Sequence, residues 1–182
     1  MLYKGRLVMC NNDLTNRHLE LLHMMHELPK HVAGVHERHN SAEFVLHHLC
    51  QQQHFNVAKA AYFVDNPDFQ CMKGVVGFSH SQEFEELHWD KPHEFTIFMT
   101  ESPFNKQVRS ILREGLAKQG GAETAVTLLA QELGIENPCW CSWNLRHDNY
   151  GYLVYQKPDN HDQLTNNFFT NSLHILSFCP VF

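Results

Sequence analysis

The spacing of the apolar residues changes along this chain from a helical period to a strand period, and this change limits the folds that are possible. Apolar residues between Leu14 and Leu28 recur at helical spacing, which predicts an amphipathic helix over 13–28 that Pro29 ends. Residues 58–64 and 71–78 are short apolar runs separated by the turn signal Asp-Asn-Pro-Asp, which predicts a β-hairpin.

A second helix is predicted from Asn40 or Ser41 to about Phe55. Asn40 and Glu43 have the spacing of a capping box. Val45, Leu49, Gln52 and Phe55 mark the inner face of this helix. The segment between the two helices, 31–39, is expected to be irregular or to form a short helical turn.

The rest of the chain mixes both periods. The predicted elements are a strand over 94–100, a helix that Ser102-Pro103 begins and Gly120-Gly121 ends, a helix over 122–133, a hairpin of 139–145 with 150–156, a polar stretch over 158–172 with a short helix, and a strand over 174–178. The sequence therefore predicts an α+β (mixed α/β) fold in one domain over 1–182, with a helical N-terminal third and a mostly antiparallel sheet covered by helices.

Charge and composition narrow the classes of function. The formal net charge is −6, whereas general nucleic-acid binding needs a basic surface. No stretch approaches the roughly 20 apolar residues of a membrane span, and no signal peptide is recognisable. We therefore expect a cytoplasmic protein that binds neither nucleic acid nor membrane, with its six cysteines as reduced thiols.

Histidines are concentrated in the N-terminal third, where nine of the fifteen lie between His18 and His54. Histidine titrates in the physiological range, and its neutral ring is a ligand for transition metals. Protonating all fifteen rings would reverse the sign of the net charge, so a pH-dependent surface, a metal site and compositional drift all remain open. His18 is expected on the apolar side of the first helix, and His23 on its polar side.

A possible metal site lies on the second predicted helix. Glu43, His47, Cys50 and His54 are spaced i, i+4, i+7 and i+11, which places four possible ligands of a divalent transition metal on one stripe. The stripe is about 16 Å long at about 1.5 Å per residue, so one ion would use a neighbouring pair and ligands from elsewhere. The alternative is a solvated helix face.

Two further patterns match metal ligands in spacing only. The pairs within 20–23 and 85–88 have the Glu-x-x-His form of di-iron bundles, but predicted strands lie between them. The segment His88-Trp89-Asp90 has the His-x-Asp form of non-haem iron sites, with His147 as a conceivable third ligand. Neither pattern occurs in the fold context that such sites require.

Three cations and a pair of thiols are further candidates. Lys106, Arg109 and Arg113 are predicted on one face of the helix that Ser102 caps, where they could bind a phosphate or form a solvated face. In the strand over 139–145, Cys139, Cys141 and Trp143 alternate with Trp140 and Ser142, which predicts packed thiols on one face of the sheet.

The order of the predicted elements resembles that of the GNAT N-acyltransferases. The similarity consists of an N-terminal strand, helices across 13–55, a hairpin that carries Val75-Val76-Gly77-Phe78, and then strand, helix and strand. Asn149 and Tyr155 are similar in position to the later Asn and Tyr of the family. The resemblance implies binding of acetyl-CoA and Tyr155 as general acid. The glycine-rich pyrophosphate loop of the family has no counterpart, since 100–109 contains no glycine.

Three classes of function follow from these patterns. The first is a metal-binding protein or metalloenzyme that uses the histidine-rich helices. The second is a GNAT-like, acetyl-CoA-dependent acyltransferase. The third, which we prefer because each local motif has an adequate structural explanation, is a non-catalytic interaction or structural module that forms a homodimer or binds a protein partner.

Overall fold

The core of the fold is a five-stranded sheet in which every pair of neighbouring strands is antiparallel. The computed structural model describes residues 4–35, 39–82, 84, 88–116, 121–158 and 162–180, with side chains from residue 14 onward. The strand order is β3-β2-β1-β5-β4, and the strands are β1 (Lys59–Asn66), β2 (Cys71–Ser79), β3 (Leu112–Glu114), β4 (Pro138–Asn144) and β5 (Tyr150–Gln156). Together with the helices, this sheet confirms the predicted α+β class.

Helices cover both faces of the sheet. They are α1 (Lys4–Val35), α2 (Ser41–Cys50), α3 (Pro92–Glu101), α4 (Pro103–Ser110), α5 (Ala122–Leu133) and α6 (Gln163–Ser172), with short 3-10 helices at His80–Gln82 and Leu173–Phe178. The described helices contain no segment long and apolar enough to cross a membrane.

The central strand β1 separates two apolar cores because its side chains alternate between the faces of the sheet. Tyr62 and Val64 enter the core formed with α1, α2, α3 and α6. Ala61 and Phe63 enter the core formed with α4 and α5. The apolar run at 58–64 is therefore continuous because the strand is buried on both faces.

Both predicted hairpins are present. Strand β1 pairs with β2 from Lys59↔Ser79 to Asn66↔Cys71, with one irregularity at Tyr62/Phe63. Strands β4 and β5 pair over their whole length, and His147 and Asp148 turn between them with φ of 59° and 54°. This left-handed conformation explains the two polar residues as turn residues.

Close packing of α4 on β2 depends on a glycine. A Cβ atom at Gly74 would lie 1.9 Å from the backbone oxygen of Val108. The backbone N–H of Gly74 donates to the carbonyl of Ile111, just beyond α4, over 2.9 Å. Only a residue without a side chain lets the helix approach the strand this closely.

The prediction that Pro29 ends the first helix is wrong. Helix α1 continues through Pro29 to Val35. Val32 and Val35, which follow Pro29, are buried in the core, so tertiary packing outweighs the cost of an interior proline, about 3 kcal/mol. The predicted irregular segment at 31–39 is thus helical as far as Val35, and 36–38 lie outside the described residues.

Two predicted strands are helical in the structure. The segment 94–100 lies in α3, where Phe95 and Met99 share the buried side and Ile97 is exposed. Apolar residues alternate in this segment, but two of them are also spaced i, i+4. The same sequence therefore fits a strand and a helix that is buried on one side. The segment 174–178 lies in the 3-10 helix Leu173–Phe178, which buries Leu173 and Leu176.

Two predicted helices are shorter than expected. Helix α2 ends at Cys50 rather than near Phe55, and the following turn includes Asn56 at φ 48°. Helix α4 ends at Ser110, because the next residues pair as β3 with Cys71–Lys73 of β2. Residues 117–120 of the predicted helix lie outside the described residues. Helix α5 matches its prediction, and Gly134 caps it at φ 60°.

Candidate functional site

Three buried histidines and one half-buried histidine form a group beside α2, named here the histidine cluster. Its members are His47, His48 and His88, which are buried, and His54. The ring centroids of His48 and His54 are 4.2 Å apart, those of His47 and His88 are 4.9 Å apart, and those of His48 and His88 are 5.5 Å apart. The sequence prediction identified His47 and His54. It did not include His48, and it considered His88 only in two other metal-ligand patterns; α2 and the segment before α3 bring these two residues to the same place.

Aromatic side chains surround the histidine cluster and exclude water from it. His47 contacts Phe78 and Phe95 edge to face, at centroid distances of 5.4 and 5.0 Å. Trp89 contacts His88 at 4.7 Å and also stacks on the exposed ring of His31 at 5.1 Å. The cluster is thus part of the apolar core rather than the floor of an open cleft.

Hydrogen bonds define the protonation state of two of these rings. Trp89 donates from Nε1 to Nδ1 of His48 over 3.2 Å. The backbone N–H of Phe84 donates to Nε2 of His47 over 3.2 Å. A ring nitrogen that accepts a hydrogen bond carries no proton, so both histidines are neutral.

Some ring nitrogens of the cluster have no hydrogen-bond partner among the described residues. In this part of the chain, Nδ1 of His47 and Nε2 of His54 are buried without one. Within the same described ranges, neither nitrogen of His88 makes a hydrogen bond of regular geometry, although a polar interaction with the backbone of Phe44 favours its charged form slightly. Unsatisfied polar atoms are costly in a core, so a hydrogen-bonding ligand would be favoured at these nitrogens. Because Nε2 of His47 is an acceptor, its Nδ1 carries the proton of the neutral ring and can only donate.

Burial keeps the histidine cluster uncharged. Desolvation lowers the pKa of His47 to about 3 and that of His88 to about 3, each with a further contribution from a neighbouring histidine. Desolvation, and then the neighbouring ring of His54, lower the pKa of His48 to about 2. For His54, desolvation and then Arg17 lower the pKa to about 4. At neutral pH all four rings are therefore neutral.

The predicted ligand stripe does not form a single site. Glu43 is buried and turned to the other side, where it pairs with Arg109. Cys50 is fully buried, and His54 lies in the turn after α2 rather than on the helix. No three His, Cys, Asp or Glu side chains among the described residues lie in an arrangement that could hold a metal ion.

The residues of the other two metal-ligand patterns do not form a site in the described part of the chain. His88 is buried, Asp90 is exposed, and His147 lies in the turn of the β4–β5 hairpin. Glu20 and His23 are both exposed on α1. The segment 85–87 of the second Glu-x-x-His match lies outside the described residues.

A buried polar network joins α2 to α4. Oε1 of Glu43 accepts hydrogen bonds from Arg109 Nη1 and from Asn105 Nδ2, both over 2.8 Å. Asn105, fully buried, also donates to the carbonyl of Met99 and accepts from the backbone N–H of Gly77 over 2.9 Å. Every polar atom of this amide is used, so Asn105 is a structural hub that the sequence prediction missed.

The three cations predicted on one helix face are not equivalent. Arg109 is paired with Glu43, and Arg113 lies on β3, where it forms an ion pair with Glu132. Lys106 is exposed on α4. The N-terminus of α4 is closed by Gln82, whose Oε1 accepts hydrogen bonds from Ser102 and from the backbone of Phe104. A phosphate would have to compete with these partners.

Tyr155 and the thiols are packed in the core. Tyr155 contacts Phe169 at 5.0 Å, and burial followed by the thiols of Cys141 and Cys139 raises the pKa of its hydroxyl. Burial raises the pKa of Cys141 to about 12 and that of Cys179 to about 11. As predicted, Cys139 and Cys141 share a face with Trp143. With raised pKa values, Tyr155, Cys141 and Cys179 are protonated at neutral pH and are poor acids or nucleophiles.

The side of α1 turned away from the core carries a row of exposed residues, named here the outer face of α1. It consists of Thr15, Leu19, Leu22, His26, Pro29 and Ala33, which follow one another in alternate steps of four and three residues. Leu19 is 59% exposed and Leu22 is 47% exposed. The buried side of the helix carries Leu21 and Leu28, so these outer leucines are not needed for the core.

Comparison of the chain with protein-family models, with curated proteins and with solved structures gave no match. Two of the elements behind the GNAT resemblance also differ, since the chain is helical from Lys4 and again at Pro92–Glu101. Acetyl-CoA binding and an acid role for Tyr155 therefore stay predictions.

Proposed function

We propose that this protein is a non-catalytic interaction module that forms a homodimer through the outer face of α1. The observation that carries this proposal is the pair of exposed leucines, Leu19 and Leu22, in this row on a helix whose opposite side is already buried. Single exposed leucines are ordinary on a protein surface, but a row at coiled-coil spacing is typical of a helix that packs on a second helix.

The spacing favours a second copy of the same chain as the occupant. Steps of four and three residues keep one seam of a helix against a partner helix over several turns. In a two-fold dimer the same patch serves both subunits, so the patch around Leu19 and Leu22 would pack against the same patch of the second copy. The row extends from Thr15 to Ala33, a rise of about 27 Å at about 1.5 Å per residue.

The chemistry of the interior supports a non-catalytic role. The histidine cluster is neutral and closed by aromatic rings. The buried hydroxyl of Tyr155 and the thiol of Cys141 both have raised pKa values. General acid–base or nucleophilic catalysis needs groups that are poised near neutral pH and can reach a substrate.

Sedimentation equilibrium of the untagged protein tests the dimer. We expect Leu19→Glu and Leu22→Glu each to raise the dimer dissociation constant at least about tenfold, which corresponds to about 1.4 kcal/mol. The matched control is Leu128→Glu on α5, because Leu128 is also 47% exposed and lies on another surface. An unaltered protein that stays monomeric at high concentration contradicts the proposal, as does equal weakening by the control.

Binding of a transition-metal ion is the second candidate function, favoured by the four neutral imidazole rings that lie together in the histidine cluster. Neutral imidazole is the form that ligates metals. Because no three ligands converge among the described residues, binding would require the rings to rotate. Stoichiometric Co²⁺ absorption that disappears in His47→Ala and His54→Ala supports this function, and untagged protein that binds no Co²⁺ excludes it.

A further inference from the structure

A cleft of about 400 Å³ opens at one end of the sheet, where β1 ends and β5 begins. Asp65, Tyr150 and Tyr152 line it, together with Gln70 and Leu116. This cleft lies on the face of the sheet that α4 and α5 cover, opposite the histidine cluster. Its volume is within the range of small-molecule sites, which is about 300–1,000 Å³.

The carboxylate of Asp65 is the most unusual group in the cleft. Asp65 is only 7% exposed, and its Oδ1 accepts a hydrogen bond from the backbone N–H of Leu116 over 3.2 Å. No lysine, arginine or histidine forms an ion pair with it in the described part of the chain; Arg113, on the neighbouring strand β3, is paired with Glu132. A largely desolvated carboxylate without a cation is costly, so it favours a positively charged ligand.

Two aromatic rings share the cleft with this carboxylate. Tyr150 stands directly opposite Asp65 in the pairing of β1 with β5. Tyr152, two residues further, lies on the same face of the strand and stacks on Trp140 at a centroid distance of 6.1 Å. Electron-rich faces of tyrosine rings attract cations, and alkylated ammonium ions are well suited to them.

We propose that this cleft binds an organic ammonium ion, with Asp65 as its counter-ion and the rings of Tyr150 and Tyr152 against its alkyl groups. An anionic ligand would be repelled by the carboxylate, and a neutral ligand would leave it uncompensated. The cleft shares no residue with the outer face of α1, so cation binding and dimer formation can be tested separately.

Comparison of a cation with its neutral isostere tests the proposal on the unaltered protein. Choline and 3,3-dimethyl-1-butanol have the same shape and differ in charge. In amide-resolved NMR titrations, we expect choline to shift Asp65 and Tyr150–Tyr152 saturably, and the alcohol to bind at least about tenfold more weakly. Equal affinity for the two probes, or no saturable shift with choline, overturns the proposal.

Variants then assign the roles of the side chains. Asp65→Asn keeps an oxygen for the Leu116 N–H, and we expect it to weaken choline binding at least about tenfold. Tyr152→Leu should weaken it severalfold. Asp68→Asn is the matched control, because Asp68 is exposed in the adjacent turn and causes the same change in net charge. If Asp68→Asn weakens binding as much as Asp65→Asn, the effect is long-range charge and the site assignment is wrong. Should Asp65→Asn fail to fold by circular dichroism, the isostere comparison still decides.

Discussion

The indole of Trp89 donates a hydrogen bond to Nδ1 of His48 across 3.2 Å. This contact holds His48 in the neutral tautomer that carries its proton on Nε2, which is also the charge state that burial favours. Protonation of His48 would convert the acceptor into a donor and break the bond. Hydrogen bonding and desolvation therefore both favour the neutral form of His48.

We expect the free energy of unfolding to fall as the pH is lowered below about 6.5. Burial lowers the pKa values of His47, His48 and His88 to about 3, about 2 and about 3 from the ordinary value of 6.5. The unfolded chain thus takes up protons that the folded chain does not, so this stability is complete above pH 6.5 and is lost progressively on acidification. Each histidine contributes at most about 1.4 kcal/mol per pH unit.

Urea unfolding at pH 7, 6 and 5 measures this dependence above the range where carboxyl groups titrate. His48→Phe should reduce the slope of stability against pH. Replacement of the exposed His23 by Gln should leave the slope unchanged. An unchanged slope in His48→Phe would show that this ring is not the group that titrates.

We expect Trp89→Phe to lower the free energy of unfolding by about 1–3 kcal/mol. The substitution keeps an aromatic ring but leaves Nδ1 of His48 buried without a donor. Trp140→Phe is the control, because Trp140 is 39% exposed and stacks at the surface. Chemical denaturation followed by circular dichroism gives both values, and equal losses would contradict a specific role for the indole N–H.

Removal of Arg109 should destabilise the protein because it leaves the buried Glu43 without its cation. Since Arg109 is half exposed, we expect Arg109→Met to cost about 1–3 kcal/mol, less than the loss of a fully buried pair. Lys106→Met, on the same helix, should cost less than about 0.5 kcal/mol. If Glu43→Gln is introduced with Arg109→Met, much of the loss should be recovered. No recovery would show that packing of the arginine, not charge, accounts for the effect.

Two glycine substitutions should change the free energy of unfolding in opposite directions. A Cβ at Gly74 would collide with the backbone of Val108, so Gly74→Ala should cost more than about 2 kcal/mol. Nothing lies within 4 Å of the corresponding position at Gly34 in α1, so Gly34→Ala should stabilise the helix by about 0.5–1 kcal/mol. Thermal unfolding of both variants checks the packing of α4 on β2 and the helical state of α1 beyond Pro29.

The elements that could be predicted from sequence are those with strong local signals. The β4–β5 hairpin has turn residues and alternating side chains, and α5 ends at a glycine. Local sequence signals gave wrong predictions where tertiary contacts determine the conformation. Burial of Val32 and Val35 carries α1 past a proline, and pairing with β2 turns Leu112–Glu114 into a strand. The spacing of the apolar residues in 94–100 fits both a helix and a strand, so the sequence alone could not distinguish the two conformations there.

The candidate site could be predicted only in part from the sequence, because it too depends on tertiary contacts. Spacing on α2 identified His47 and His54, but it could not place His88, which lies more than thirty residues further along the chain. Asn105 has no motif around it, and its importance comes from three partners on different elements. Long-range contacts of this kind carry no signal in a single sequence.

The hydrogen bond from Gly77 to the side chain of Asn105 also affects how the sheet can grow. Strand β3 covers only the first three residues of β2, and further along that edge an amide side chain occupies the place of a neighbouring strand. Another chain therefore cannot add a strand there without displacing α4. The opposite edge, β4, begins with Pro138, which cannot donate to an added strand. The β2 border of the sheet thus resists edge-to-edge aggregation along the part that α4 occupies, and the β4 border lacks one of the donors that an added strand would use.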